Sequence, residues 1–302
     1  MAQCATTAAS AWMLRGTAFA ESDPRIHFPS QPRERIAVAS YPFREFIKGA
    51  DYKSSSPPIE LKDFAAHVIA KFNVNKIEPW SAHFLSLDAK YMDQIRTALE
   101  KSHASVANIA VDGEHSPYAV NGAERQLAVD FSKRWVDVAV AVGSPSIRTN
   151  IPTAKDSPPD LNRAADSLTR IVEYASRKNV VIHLENDNPV SEDPFFLVKL
   201  VEKVNSPWLH PLPDFANSLA HKDENYAYTG IKALFEHAYG ICHVKKMEQA
   251  DDGKMVHVDM AKTFGILKAS GYRGYCSMEF DSPGDPYKGT TELIADTLRY
   301  LS

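Results

Sequence analysis

Glu185, Asp214, His243 and Glu279 follow one another through the second half of the chain at intervals of 29, 29 and 36 residues. Each stands at or near the end of a short apolar run. Glu185 closes NVVIHLE, Asp214 closes WLHPLPD, His243 lies in GICHVK and Glu279 lies in GYCSMEF. A carboxylate that ends a buried strand is costly to leave alone, so it is neutralised, paired or bound to a cation. Three carboxylates brought together repel one another unless positive charge lies between them. An oxygen-rich set with one imidazole suits a single divalent ion: Mn²⁺, Mg²⁺, Co²⁺ or Zn²⁺. Taken singly, each carboxylate could be a helix cap or a turn residue, and the histidine a core residue. The joint placement is what points to a metal.

Such convergence needs strands that deliver their ends to one place. Eight β-branched or apolar runs alternate with helical stretches: Arg35–Ser40, Val74–Pro79, Ser105–Val111, Ser146–Asn150, Asn179–Glu185, Trp208–Asp214, Gly240–Lys245 and Gly274–Phe280. Between them lie segments such as AERQLAVDFSKRWVDVAVAVG and DLNRAADSLTRIVEYASRK, apolar at three- and four-residue spacing. Strict alternation with return helices implies parallel strands. Eight units over roughly 270 residues imply a single (β/α)8 TIM barrel of the α/β class, whose catalytic groups gather at the C-terminal strand ends. An open doubly wound sheet would place a glycine-rich turn after the first strand, where SYPFREF stands instead. Period-two alternation then turns Tyr275, Ser277 and Glu279 inward and Cys276 and Met278 outward. Likewise His243 points inward between Cys242 and Val244.

The 302 residues are 44% apolar and 24% charged, with a net charge of −4 and a pI near 6.3, which gives no basic field for nucleic acid. No apolar run approaches the roughly 18 residues of a membrane span. Cys4, Cys242 and Cys276 form neither a disulfide framework nor a zinc motif. At the N-terminus, CATTAASAWML, Arg15 and AFA resemble the apolar region and cleavage site of an export signal, although no basic residue precedes Arg15. Residues 1–30 are therefore read as a signal-like or disordered segment, with export to the periplasm favoured over a cytoplasmic location, and residues 31–302 as the barrel.

With these residues placed, the chain resembles the xylose isomerase-like TIM barrels, the sugar isomerase/epimerase superfamily, over about residues 35 to 302. The likeness rests on HLEN at Glu185, DFAN at Asp214, HVKK at His243, GYRGYCSMEFDSPGDP at Glu279 and KIEPW at Glu78. It implies that Glu185, Asp214, His243 and Glu279 bind one divalent metal, with Glu185 and Glu279 also forming the acid/base pair. Two positions depart from the family pattern. Asn217 stands where many relatives have a histidine, and Lys246 stands where many have an aspartate.

A cation on a sugar carbonyl and its neighbouring hydroxyl acidifies the adjacent C–H. One carboxylate can then take the proton and a second return it to the other face or to the next carbon, giving epimerisation or isomerisation. Candidates for holding sugar hydroxyls are Glu78, His83, His115, Arg148, Asn150, His183, Asn217 and Lys245, and Arg44 and Trp80 are candidates for a lid and a stacking wall. The expected partner is a small sugar or sugar derivative, and a homo-oligomer is compatible with the chain. Two alternatives stay open: a lyase or dehydratase acting on keto-sugars or 3-keto-glycosides at the same site, and a non-catalytic carbohydrate-binding barrel.

Overall fold

The computed structural model describes residues 23–250 and 252–302. The export-like stretch with Cys4 lies outside the described residues.

Each expected run contains strand, and most are shortened by a residue or more at one or both ends. They are β1 (Ile36–Ala39), β2 (Lys76–Glu78), β3 (Ser105–Val106) with β4 (Ile109–Val111), β5 (Ser146–Thr149), β6 (Val181–Glu185), β7 (Leu209–Leu212) and β8 (Ile241–Val244). A hairpin of β9 (Met247–Gln249) and β10 (Met255–His257) follows, and β11 (Tyr275–Met278) ends the series. The third run is split because its two halves serve different neighbours: β3 pairs with β2 and β4 with β5.

The strands form two parallel sheets, in the orders β3-β2-β1-β11-β8 and β4-β5-β6-β7. Parallel bridges join the sheets at both edges, Trp80 with Ala110 on one side and Asp214 with His243 on the other. The strand positions thus run in a ring, and the fold is a (β/α)8 TIM barrel.

The intervening helices include α1 (Leu61–Phe72), α2 (Ala89–Ser102), α3 (Gly122–Val142), α4 (Leu161–Ser176), α5 (Pro194–Val204), α6 (Asn217–His221), α7 (Glu224–Phe235), α8 (Met260–Ala269) and α9 (Pro286–Leu301). Their starts are written locally in the sequence. The side chains of Asp88, Asp160, Asp193, Asp223, Asp259 and Asp285 each accept a backbone N–H in the first turn of the helix that follows. Helix α4 buries Ala164, Leu168, Ile171, Val172 and Ala175, the three- and four-residue stripe that presses it on the barrel. None of the described helices is long and apolar enough to cross a membrane.

Alternation along the strands sorts the interior into two layers. Ile36, Val38, Cys242, Val244, Cys276 and Met278 lie between sheet and helices, as expected for the outward set. Ala37, Ala107, Leu212, Ile241 and Tyr275 fill the inside of the ring. Phe28 packs against this inner group, edge-on to Tyr275 and Tyr239 at 5.6 and 5.2 Å. Phe28, which the sequence reading set with the N-terminal segment, therefore lies against the barrel. The Arg25 amide also donates to Asn179 Oδ1. Phe28→Ala is expected to lower stability by about 1–2 kcal/mol, the transfer value of a half-buried ring. Urea unfolding that shows no change would mean the ring is not a plug.

Candidate metal centre and active site

Strands β6, β8 and β11 and the turn after β7 carry Glu185, His243, Glu279 and Asp214 to the same end of the ring. One ligand atom from each lies within 4.8 Å of all the others, and all four residues are buried. Their setting explains why they converge. Asn186 pins the turn by accepting from the Asp214 amide at 2.8 Å and donating to the Asp214 carbonyl at 3.2 Å. Asp214 Oδ1 accepts from the amides of Ala216 and Asn217, fixing the carboxylate. Its Oδ2 is left without a hydrogen bond although it is buried.

His243 is held between carboxylates on both ring nitrogens. Nε2 lies 3.0 Å from Glu78 Oε2, and Glu78 Oε1 accepts from Asn108 at 2.7 Å. Nδ1 lies 2.8 Å from Glu185 Oε1, 3.1 Å from Glu279 Oε2 and 4.0 Å from Asp214 Oδ2. Burial alone would lower the histidine's pKa, but Glu185, Glu279 and Glu78 together raise it well above its ordinary value. Burial pushes Asp214 up to about 7, with Lys245 opposing and Glu185 and Glu279 adding to the rise. Glu279 is held far below the usual carboxylate range because His243 and Lys245 outweigh its burial. The site therefore concentrates negative charge around one point, offset from its sides by Lys245 and Arg148 and at His243 by a proton.

A divalent cation fits this donor set. Placed among the four residues, it would take over the role of the Nδ1 proton and engage the buried Asp214 oxygen that has no hydrogen bond. Glu78 would then fix the imidazole tautomer and ring orientation from behind. Glu78→Gln is expected to weaken metal binding about 10- to 100-fold with the fold retained. Titration with Mn²⁺ checks this, and unchanged affinity would remove Glu78 from the support of the site.

Above the four residues is a small cavity of about 100 Å³. Arg148, Asn217 and Lys245 of the sequence-derived candidates line it, together with Trp80. Lys245 Nζ lies 2.8 Å from Asn217 Oδ1, 3.4 Å from Glu279 and 3.6 Å from Asp214. Arg148 Nε is 3.0 Å from Glu185 Oε2, and its guanidinium also pairs with Asp112. Asn217 donates to Glu185 at 3.3 Å, while Lys246 turns away to Asp296 on α9.

The other candidates lie elsewhere. Glu78 sits behind His243. His83 is buried and bonded to Ser40 at 2.8 Å, and His115 pairs with Glu124. Asn150 holds Gly113 through its amide and carbonyl. His183 faces Gly240 in the barrel interior, so close that a Cβ there would overlap its ring. Period two and strand ends bring a residue to the right end of the barrel without saying how far its side chain reaches.

Five lining residues were not among the candidates: Tyr41, Ala110, Asp112, Asp187 and Asp281. The signal for three of them is local. Asp112 follows the last residue of β4, and Asp187 and Asp281 lie two positions beyond Glu185 and Glu279, on the same side of the continuing chain. Arg44 closes the rim by pairing with Asp281 at 3.1 Å and lying 4.2 Å over the Tyr41 ring.

A parallel barrel with a carboxylate and imidazole cluster at its C-terminal mouth defines the class. Residues 66–301 match the family described as Xylose isomerase-like TIM barrel, and the chain belongs to it. Among solved structures, it is similar to the D-allulose 3-epimerase from Methylomonas sp., with 17% identity and a TM-score of 0.66 over 91% of this chain and 98% of that one. The 3-keto-D-glucoside 4-epimerase from E. coli gives 15% identity and a TM-score of 0.65, covering 88% and 98%. A xylose isomerase-like TIM barrel protein from Mycobacterium smegmatis in complex with magnesium gives 14% and 0.64, covering 88% and 97%. No curated protein matches the chain by sequence.

Proposed function

We propose that the protein is a divalent-metal-dependent sugar isomerase or epimerase that works by proton transfer between carboxylates. The observation that carries this reading is the position of Glu185 and Glu279. They stand at the ends of β6 and β11, separated in the ring by β7 and β8, and both reach the point where His243 Nδ1 and the Asp214 oxygen that lacks a hydrogen bond meet. A bound divalent ion would polarise a sugar carbonyl and stabilise the negative charge that builds on its oxygen.

The chain's own residues supply the rest. One glutamate removes the proton next to the carbonyl and the other returns a proton from its own side. Arg148 and Lys245 offer positive charge and N–H donors to sugar oxygens while holding the two glutamates in place. Tyr41 and Trp80, edge-on at 5.0 Å, wall the cavity against water. The epimerase names of similar structures support the reading, as does the magnesium in one of them.

The test is proton NMR in D₂O of the Mn²⁺-loaded protein with ketoses, aldoses and 3-keto-glycosides, set against the chelated protein. Metal-dependent deuterium uptake beside a carbonyl supports the proposal, and the product separates isomerase from lyase. Stoichiometric metal without exchange on any of these sugars overturns it.

A further inference from the structure

The catalytic cavity, at about 100 Å³, is well below the roughly 300–1,000 Å³ of pockets that enclose small ligands. A second cavity of about 520 Å³ lies beside it, and Asp281 lines both. Two ion pairs link their walls: Arg44 to Asp281 at 3.1 Å and Lys245 to Glu248 at 3.2 Å. Three elements of the active mouth build this outer cavity, namely the loop after β1, the β9 strand and the loop between β11 and α9.

Its chemistry is specific. Phe46 and Phe280 present aromatic surface, and Phe280 is fixed because its ring packs on the backbone of Gly289, where a Cβ would come within 2.1 Å of it. Among the described lining residues, Glu45, Glu248, Asp281 and Asp285 put four carboxylates around the same space and Arg44 one cation, while Lys53 and Lys245, outside the lining, pair with Glu45 and Glu248. Such a lining disfavours a phosphate or carboxylate group. Aromatic faces beside hydrogen-bond acceptors suit a neutral ring with apolar C–H faces and hydroxyl donors.

We propose that the outer cavity is a second saccharide subsite, so that the substrate is an uncharged glycoside, such as a disaccharide or its keto form, with the reacting ring over the carboxylate cluster and the second ring between Phe46 and Phe280. This rests on the proton-transfer reading for the identity of the inner ring. The binding of the outer ring is a separate property of the walls described here.

Ring-resolved saturation-transfer NMR and calorimetry with cellobiose, maltose, trehalose and their 3-keto forms test it, with methyl glucoside and 3-keto-methyl glucoside as one-ring controls. The metal-loaded wild type should transfer saturation to both rings of at least one disaccharide and bind it at least about tenfold more tightly than the one-ring control. Ser282→Trp and Gln249→Trp fill the cavity from two of its elements, the loop after β11 and β9. Each should abolish that preference and leave one-ring binding within about twofold. Equal affinity for one-ring and two-ring ligands in the wild type overturns the subsite, as does an equal loss for both in the two tryptophan variants. Deuterium exchange separates this from the proposed function. Exchange on 3-keto-methyl glucoside without disaccharide preference overturns the subsite alone. Two-ring binding without exchange on any keto sugar overturns the proton-transfer reading and supports the subsite.

Discussion

Glu185→Gln and Glu279→Gln should each reduce metal-dependent deuterium exchange by about 10²- to 10⁴-fold, the range that a positioned acid or base contributes. Each change removes a proton carrier while keeping the side chain's size, so the barrel should remain folded. The two variants should differ in how they bind metal. Glu185 also accepts from Asn217 and pairs with Arg148, so its replacement by glutamine leaves the Arg148 guanidinium with Asp112 as its remaining close anion. Glu279 is the carboxylate nearest Lys245 after Glu248, and its loss leaves that ammonium to Asp214 and Glu248. Exchange at the wild-type rate in either variant, with metal bound, would remove that glutamate from the chemistry.

Removal of the metal should be equally severe. Chelation with EDTA is expected to abolish exchange, and Mn²⁺ should restore it. The apo protein should also be less stable, by about 2.7 kcal/mol relative to protein in metal at a hundred times its Kd. Metal affinity should rise with pH. In the metal-free site Asp214 is raised to about 7 and His243 is raised well above its ordinary value, so protons occupy the ligands on the acid side and must leave as the ion enters. As pH falls through 7, Asp214 is protonated and binding weakens. Calorimetry in two buffers of different ionisation enthalpy counts the released protons. No release at pH 6 would contradict the arrangement of His243 Nδ1 among three carboxylates.

The barrel and the four clustered residues were legible because both rest on local patterns. An apolar run of five or six residues followed by a helix repeats throughout the chain, and period two decides which side of a strand faces the ring. Hence Cys242, Cys276 and Met278 lie outside the ring and His243 and Ser277 inside, as the alternation requires. Asp, Asn or Gly at helix ends could likewise be read from the residue types, because a cap depends on three or four neighbouring positions.

What the residue order left open was distance between elements. Glu78 ends its strand like a ligand, yet strand pairing and side-chain reach put it on the far nitrogen of His243. His183 sits two residues before Glu185 on the same face, but this places it a layer deeper against Gly240. The Phe28 plug, the split third strand and the outer cavity over Asp281 also arise from segments far apart in sequence. Residue order sets which residues can be strand, which face each side chain takes and that Glu185, Asp214 and Glu279 stand at strand ends, since these follow from neighbours along the chain. Only the tertiary structure decided which side chains meet within hydrogen-bond reach, because the closure of the ring sets those distances.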